Sequence, residues 1–332
     1  MIKLLLLGAG FSRNWGGWLA AEAFEYLLGC PEVTANSRVQ NLLWQHKDSG
    51  GYESALASLQ SAWKLHPQEN LPFLVALQDA VRRMFFDMNT AFLRYDDLEF
   101  QQAHERMVRT ALVRFDAIFT LNQDLLLEHR YLNDNVALAL PGQWDGFQLP
   151  GLTPQSSKDF PNVKSTANRD WLPMDPSQFE VLPRHQPYFK LHGSSNWTHP
   201  TGSPLLVMGG NKEGEIKFHP ILNWYNGLFE NYLAQPNTRL LVIGYGFKDA
   251  HINRAITEAV EKAGLKIFII DPAGADLAWK LNETRNRGTI AVGTPLEDLF
   301  KTSLLGASRR GLNEIFGGDS LEHAKVMRFI EG

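Results

Sequence analysis

Apolar residues open the chain almost without a break: Ile2 and Leu4 to Leu7, interrupted only by Lys3, run into Gly8-Ala9-Gly10-Phe11-Ser12. A short run that is apolar at successive positions predicts a parallel strand over Lys3 to Leu7, buried on both faces, and the glycines at its carboxyl end predict a tight turn. Trp18, Ala21, Phe24 and Leu28 then recur at helical spacing. Strand, turn and helix in this order let backbone N–H groups and a positive helix end face an anionic group.

From about residue 41 to 115 the period is helical, with Leu56, Leu59 and Trp63 on one face and Leu74, Leu77, Val81, Met84, Phe85 and Met88 on another. Val108, Ala111, Leu112 and Phe115 continue it, so residues 40–115 are expected to form an inserted helical subdomain. A strand over Ala117 to Leu121 returns the chain to the sheet, and Leu125 to Tyr131 reads as the next helix. Residues 141–187 hold eight of the 17 prolines with few periodic apolar positions, which predicts a long irregular segment.

Tyr188 to Leu191 resumes as a strand, Glu215 to Phe218 reads as another, and Ile221 to Leu233 as a helix. Arg239 to Ile243, Ala250 to Ala263 and Lys266 to Ile270 form a strand, helix, strand unit suited to a parallel sheet. Beyond Asp298 the pattern reads as helices broken at Gly306, Gly311, Gly317 and Gly318, with Asp319 and Glu322 as a capping box. The expected fold is α/β, a Rossmann-like parallel sheet with an inserted helical subdomain, over residues 1–300. A C-terminal helical extension follows over 301–332.

Composition narrows the function. At 332 residues the chain can bury a large core, and a net charge of −4 argues against a surface that grips nucleic acid as a whole. Arg309 and Arg310 read as a solvated pair. The single cysteine, Cys30, excludes an internal disulfide and a zinc module built on four cysteines. The opening apolar run is too short for a signal peptide or a membrane span, which predicts a cytoplasmic protein.

Several polar groups stand where strands end, the place at which open α/β sheets bind ligands. Thr120-Leu121-Asn122-Gln123-Asp124 follows one strand, Leu191-His192-Gly193-Ser194 another, and Ile243-Gly244-Tyr245-Gly246-Phe247 a third, trailed by Asp249, His251 and Asn253. Taken singly, Asp124 reads as the cap of the helix at Leu125, Asn122 as a turn residue and His192 as a structural histidine. Three polar strand ends and one glycine turn in a single sheet argue for a common crevice.

Other chemistries lack their parts. The first turn has no third glycine in register and no acid closing a second strand, as a hydride-transfer dehydrogenase would require. Cys30 has no histidine beside it in sequence, there is no Gly-x-Ser-x-Gly elbow, and His185, His192 and His199 are separated by a strand and a turn. Trp15, Trp18, Trp197 and Trp224 read either as pocket walls or as core.

On these motifs the chain resembles the sirtuin-like domains, specifically the zinc-less bacterial branch that serves in anti-phage defence. Gly8, Ala9, Gly10, Phe11 and Ser12 match the NAD-binding turn of that family, Asn122 and Asp124 its Gln-Asn-Ile-Asp motif, His192 and Gly193 its His-Gly pair, and Gly244 to Gly246 its ribose-binding turn. The form of Gly244 to Asn253 is particularly like the defence branch. Two departures stand out: no zinc-binding cysteines follow His192, and roughly 70 residues separate Asn122 from His192.

The resemblance implies an NAD glycohydrolase that splits the nicotinamide–ribose bond of NAD, its substrate, without zinc, and depletes NAD in abortive infection. It also implies catalytic roles for Asn122, His192 and Asp124. Gly8 to Ser12, Gly193 and Ser194, Gly244, Tyr245, Gly246, Phe247, Asp249 and Asp271 would then bind NAD. A separate activator (a HerA-type ATPase, an Argonaute or a nucleotide-sensing protein) and an oligomer are further expectations. A protein deacylase or ADP-ribosyltransferase, and a non-catalytic nucleotide-binding scaffold subunit, are the alternatives.

Overall fold

The computed structural model describes residues 1–94, 102–132, 143–155, 167, 169–209, 211–280 and 294–332. The central sheet has seven strands: β1 (Ile2–Leu7), β2 (Ala117–Thr120), β3 (Gly146–Gln148), β6 (His185–Lys190), β9 (Thr238–Ile243), β10 (Lys266–Ile270) and β11 (Leu304–Ser308). They lie in the order β11-β10-β9-β1-β2-β6-β3 and every neighbouring pair is parallel. After β1 the chain steps outward to β2 and β6, then crosses to β9 on the other side of β1. The order therefore reverses between β1 and β9, and the crevice at their carboxyl ends is where such sheets bind ligands.

Register explains why the strands are apolar on both faces. Leu6 pairs with Phe119 on one side and Val242 on the other, so these three share a face. Phe119 stacks on Phe189 with centroids 4.9 Å apart, and the helix Pro220–Leu233 lays Phe229 edge-on against Phe119. The neighbouring residues Leu241 and Ile243 point to the opposite face. There they meet Val108, Ala111 and Leu112 of the helix Gln102–Leu112, Leu312 and Phe316 of Leu312–Gly317, and Val326 and Ile330 of Ser320–Glu331. Helices on both faces leave no exposed side for a polar alternation.

The helical block is present and begins earlier than its periodicity suggested. The helices Ala20–Leu28, Ser37–His46, Gly51–Leu65 and Pro67–Arg94 pack together, burying Phe24, Leu43, Leu56, Leu59, Leu77 and Val81.

The structure corrects four expectations. The described part of the proline-rich segment is not irregular: it supplies β3, and β4 (Leu152–Gln155) and β5 (Asp170–Pro173) join β7 (Gly193–Thr198) and β8 (Pro204–Leu206) in a second sheet of order β4-β5-β7-β8. Proline has no N–H for a ladder, and Pro154 sits on the edge strand β4 while Pro173 ends β5, where that donor is least needed. The remainder of that segment, residues 141–142, 156–166 and 168, lies outside the described residues.

Glu215 to Phe218 is not a strand but part of the helix Lys212–Phe218, which buries Ile216 alone. Four residues fit either period, and the ion pairs of Lys212 and Glu213 with neighbouring elements favour the helix. Beyond Asp298, Leu304–Ser308 is strand β11, not a helix broken at Gly306. A Cβ on Gly306 would lie 2.7 Å from the Phe268 ring, so this glycine admits the strand to the edge of the sheet beside β10. The terminal helix is capped by Asp319, which accepts the Glu322 N–H at 3.0 Å, but the reciprocal half of the expected box is missing: the Asp319 N–H donates to Glu314 O, and the Glu322 carboxylate takes Ser308 and Lys325 instead.

Candidate functional site

Strand β1 ends at Leu7, and the five-residue helix Ala9–Arg13 starts at once. The glycines of this turn answer a backbone contact. Gly10 N–H donates to Gly244 O at 3.0 Å, and a Cβ on Gly8 would come within 2.5 Å of that same oxygen. Gly244, at φ +64°, would carry its own Cβ within 2.4 Å of Gly10 Cα. The turns after β1 and β9 thus close on one another at the switch point. Gly246 differs, because a Cβ there would meet open space.

The turn after β2 is bound to the first one. Asn122 donates from Nδ2 to Gly8 O at 2.9 Å and to Ser12 Oγ at 3.0 Å, and Ser12 Oγ donates in turn to Asp124 Oδ2 at 2.8 Å. Asp124 Oδ1 accepts the Leu126 N–H at 3.1 Å, so Asp124 also satisfies the first N–H of the short helix Leu126–Arg130, whose N-cap position is Leu125. One row of hydrogen bonds joins residues 110 and more positions apart.

Asp124 is only 7% exposed, and burial pushes its carboxyl above the ordinary aspartate value, opposed by the positive charge of Lys190. Lys190, the last residue of β6, is wholly buried. Its Nζ donates to the Asp124 carbonyl at 2.5 Å and to Glu128 Oε1 at 2.7 Å. Burial likewise raises the Glu128 carboxyl, again against the pull of Lys190.

His192 follows β6 and is 3% exposed. Its Nε2 lies 3.2 Å from Nε2 of His251, in the first turn of the helix Ala250–Ala263. Burial first, and then the nearby Lys212 cation, depress the His192 ring to about 3, so it is neutral at physiological pH. Gly193 stands at φ +79° and a Cβ there would lie 2.3 Å from Leu205 O, so the His-Gly pair is required by the approach of β8. Gln123 ties the β2 turn to this one, donating to Val207 O at 2.6 Å and to His192 O at 3.4 Å.

The remaining expected residues divide by where their side chains point. Phe11 packs on Trp15, Phe247 on Tyr245 and Phe300, and Ser194 donates to Asn196 Oδ1. These side chains belong to the core, and a ligand would reach these residues through their backbone. The Tyr245 hydroxyl accepts the Asp249 N–H and donates to Asn253, bracing the turn. Asp249 pairs with Lys212 at 3.0 Å, and Asp271 accepts the Ala273 N–H at the end of β10. Of the tryptophans, Trp15 and Trp197 are core, Trp18 lies against Tyr26 and Trp224 against Phe179, so they form no common wall.

Sequence reasoning missed Lys190, Glu128, Gln123, Lys212 and Glu53. Lys190 had a signal: a cation in an apolar strand next to the His-Gly pair is rarely buried without a carboxylate partner.

The family model for the SIR2-like domain matches residues 116–290. The chain belongs to the SIR2-like family. The matched span holds Asn122, Asp124, His192 and the Gly244 turn, and the Gly8 turn, which lies before it in sequence, is joined to it by the bonds of Asn122 and Gly244. A comparison with curated proteins found no match. SIR2-like membership implies NAD binding, and the donor set fits it: two glycine turns at the switch point, open space beside Gly246, an amide and a neutral imidazole. Among the described residues no helix is long and apolar enough to cross a membrane.

Proposed function

We propose that this SIR2-like chain hydrolyses NAD at the bond between nicotinamide and ribose, releasing nicotinamide and ADP-ribose. The observation that carries the reading is the hydrogen-bonded row Asn122, Ser12, Asp124, which joins two separate motifs at the switch point, with neutral His192 linked to it through Gln123. Nicotinamide leaves as a neutral group, so the barrier is positive charge developing on the ribose, which oriented dipoles and a carboxylate stabilise. Asn122 orients the ribose or the attacking water, Asp124 acts at the nicotinamide amide, and His192 accepts a proton. The neutral imidazole is the form that can accept a proton, and burial makes it a weaker base than a free histidine. The Gly8 to Ser12 turn with Gly193 faces the pyrophosphate, and the Gly244 to Phe247 turn with Asp249 and Asp271 the adenosine end.

The sequence holds only one cysteine, the buried Cys30, which favours this reading over a zinc-stabilised peptide deacylase. The likeness of Gly244 to Asn253 to the zinc-less defence branch supports a role as an effector that depletes NAD during phage infection. Such an effector would work as an oligomer and be released by a separate sensor chain.

Nicotinamide release from NAD by the purified chain, alone and in infected-cell extract, tests the reading. Release abolished by Asn122→Ala and by His192→Ala is the expected result. NAD that binds and survives in both settings would make the chain a non-catalytic subunit, and release that requires an acylated peptide would make it a deacylase.

A further inference from the structure

Hydrolysis of NAD consumes one water and liberates one proton as well as nicotinamide and ADP-ribose, so a base that accepts that proton must also discharge it. His192 is poorly placed to do so alone, because its ring is buried. Among the described residues the ring that meets it is His251, with Nε2 to Nε2 at 3.2 Å, centroids 5.3 Å apart and planes inclined at 47°. Two neutral imidazoles at that distance share a single proton between the facing nitrogens, so one ring carries its hydrogen on Nε2 and the other on Nδ1. His251 is only half-buried and stands at the outer side of the pair.

The surroundings of His251 form an ordered ionic group. Lys212 Nζ bridges Asp249 Oδ1 at 3.0 Å and Glu53 Oε2 at 2.8 Å, fastening the start of the Ala250–Ala263 helix to the helical block through Glu53. Burial, the largest influence, lowers the His251 ring; of the charged groups around it Asp249 and Glu213 favour its protonation and Lys212 and Arg254 oppose it, with His192 on its inner side. A proton arriving at His251 is thus received beside a carboxylate, whereas one held on His192 stays in the interior.

We propose that His251 is the relay through which the proton taken up by His192 reaches solvent, and that Lys212, clamped between Asp249 and Glu53, positions it. This rests on the reading of His192 as the base in NAD hydrolysis. Water attacking the ribose carbon gives its proton to His192 Nδ1, while the electrons of the broken nicotinamide–ribose bond leave with nicotinamide. His192 passes its Nε2 proton to the lone pair on His251 Nε2, and His251 releases its Nδ1 proton to bulk water. Both rings end neutral in exchanged tautomers; once the products leave and water enters the site, His251 Nδ1 takes a proton from bulk water, its Nε2 proton returns to His192 Nε2, and His192 Nδ1 gives its proton to the water in the site. His251 and Lys212 are positioning residues in this scheme, since neither touches the substrate.

The test uses the full chain. Imidazole ¹⁵N spectra, assigned with His192→Gln and His251→Gln, should show opposite tautomers for the two rings. His251→Gln should change the tautomer balance of His192, and Lys212→Met should raise the pH at which His251 protonates. In turnover, His251→Gln should lower kcat on the order of 10–100-fold. KM for NAD should stay within about twofold, as expected when transition-state interactions alone are lost. Added imidazole should restore part of the rate, and His251→Asn with an unchanged melting temperature guards against misfolding. An active wild type whose His251→Gln variant keeps its kcat, pH profile and His192 spectrum overturns the relay alone. A wild type that never releases nicotinamide overturns the hydrolase reading and the relay with it, and the spectra still report whether the rings are paired.

Discussion

Gly10 and Gly244 meet backbone to backbone: the Gly10 N–H donates to Gly244 O at 3.0 Å, and a Cβ on either residue would lie within 2.7 Å of the other's Cα. This contact joins the two halves of the sheet at the point where its strand order reverses, and it places the Gly244 turn against the start of the candidate site.

Gly244→Ala should therefore destabilise the fold. It adds a Cβ at φ +64° and forces it into the Gly10 backbone, which cannot yield as a side chain could. Strain and overpacking together predict a loss of about 2–4 kcal/mol in denaturant unfolding. Gly246→Ala, which enters open space, should stay within about 0.5 kcal/mol. If it nonetheless weakens NAD binding, the Gly246 turn lies against the ligand.

The buried Lys190 is the counter-charge for two carboxyls. Lys190→Met should leave Glu128 and Asp124 without it and cost about 3–5 kcal/mol. Adding Glu128→Leu should recover part of that loss, a coupling that a double-mutant cycle measures. Additive losses would show that the pair is not coupled in solution.

Ser12 is the bridge between Asn122 and Asp124. Ser12→Ala should remove a donor from a buried carboxylate and cost about 1–3 kcal/mol, a loss read by thermal unfolding. It should also lower nicotinamide release, since Asn122 then loses one of its two fixed partners. Release at the wild-type rate would mean that Asn122 is held well enough by Gly8 alone.

The pH dependence of stability has a definite sign at His192. Its folded value, about 3, lies below the value of about 6.5 for an unfolded histidine, so between these limits the unfolded chain binds the proton and the folded chain does not. Above that window the ring contributes no pH dependence. As pH falls through it, this group removes stability at up to about 1.4 kcal/mol per pH unit. His129, depressed to about 4 by burial, acts in the same direction, while the raised Asp124 and Glu128 act against both. The difference between wild type and His192→Gln isolates one ring: it should be flat above pH 7 and tilt toward the variant below it. A parallel pair of stability curves down to pH 5 would contradict the depressed value.

The helix Ala250–Ala263 and the strand Lys266–Ile270 match their expected bounds, and the motifs around Gly8, Asn122, His192 and Gly244 fall at strand ends as read. These features were legible because apolar periodicity is local and because glycine and polar residues at the end of an apolar run have few other uses. Gly306 misled for the same reason: a glycine in an apolar stretch reads as a break, and only the Phe268 ring beside it shows that it is there to admit a strand.

What the sequence by itself determined is the alternation of apolar strands with amphipathic helices, the absence of a four-cysteine zinc module and the sites where polar chemistry interrupts buried strands. Tertiary structure alone decided which interruptions meet. Ser12 and Asp124 lie 112 positions apart, His192 and His251 lie 59 apart, and the Lys212 bridge reaches from the helical block to the site. No local pattern encodes such pairs, because strand order and register, set by the burial of both faces of the sheet, bring them into contact.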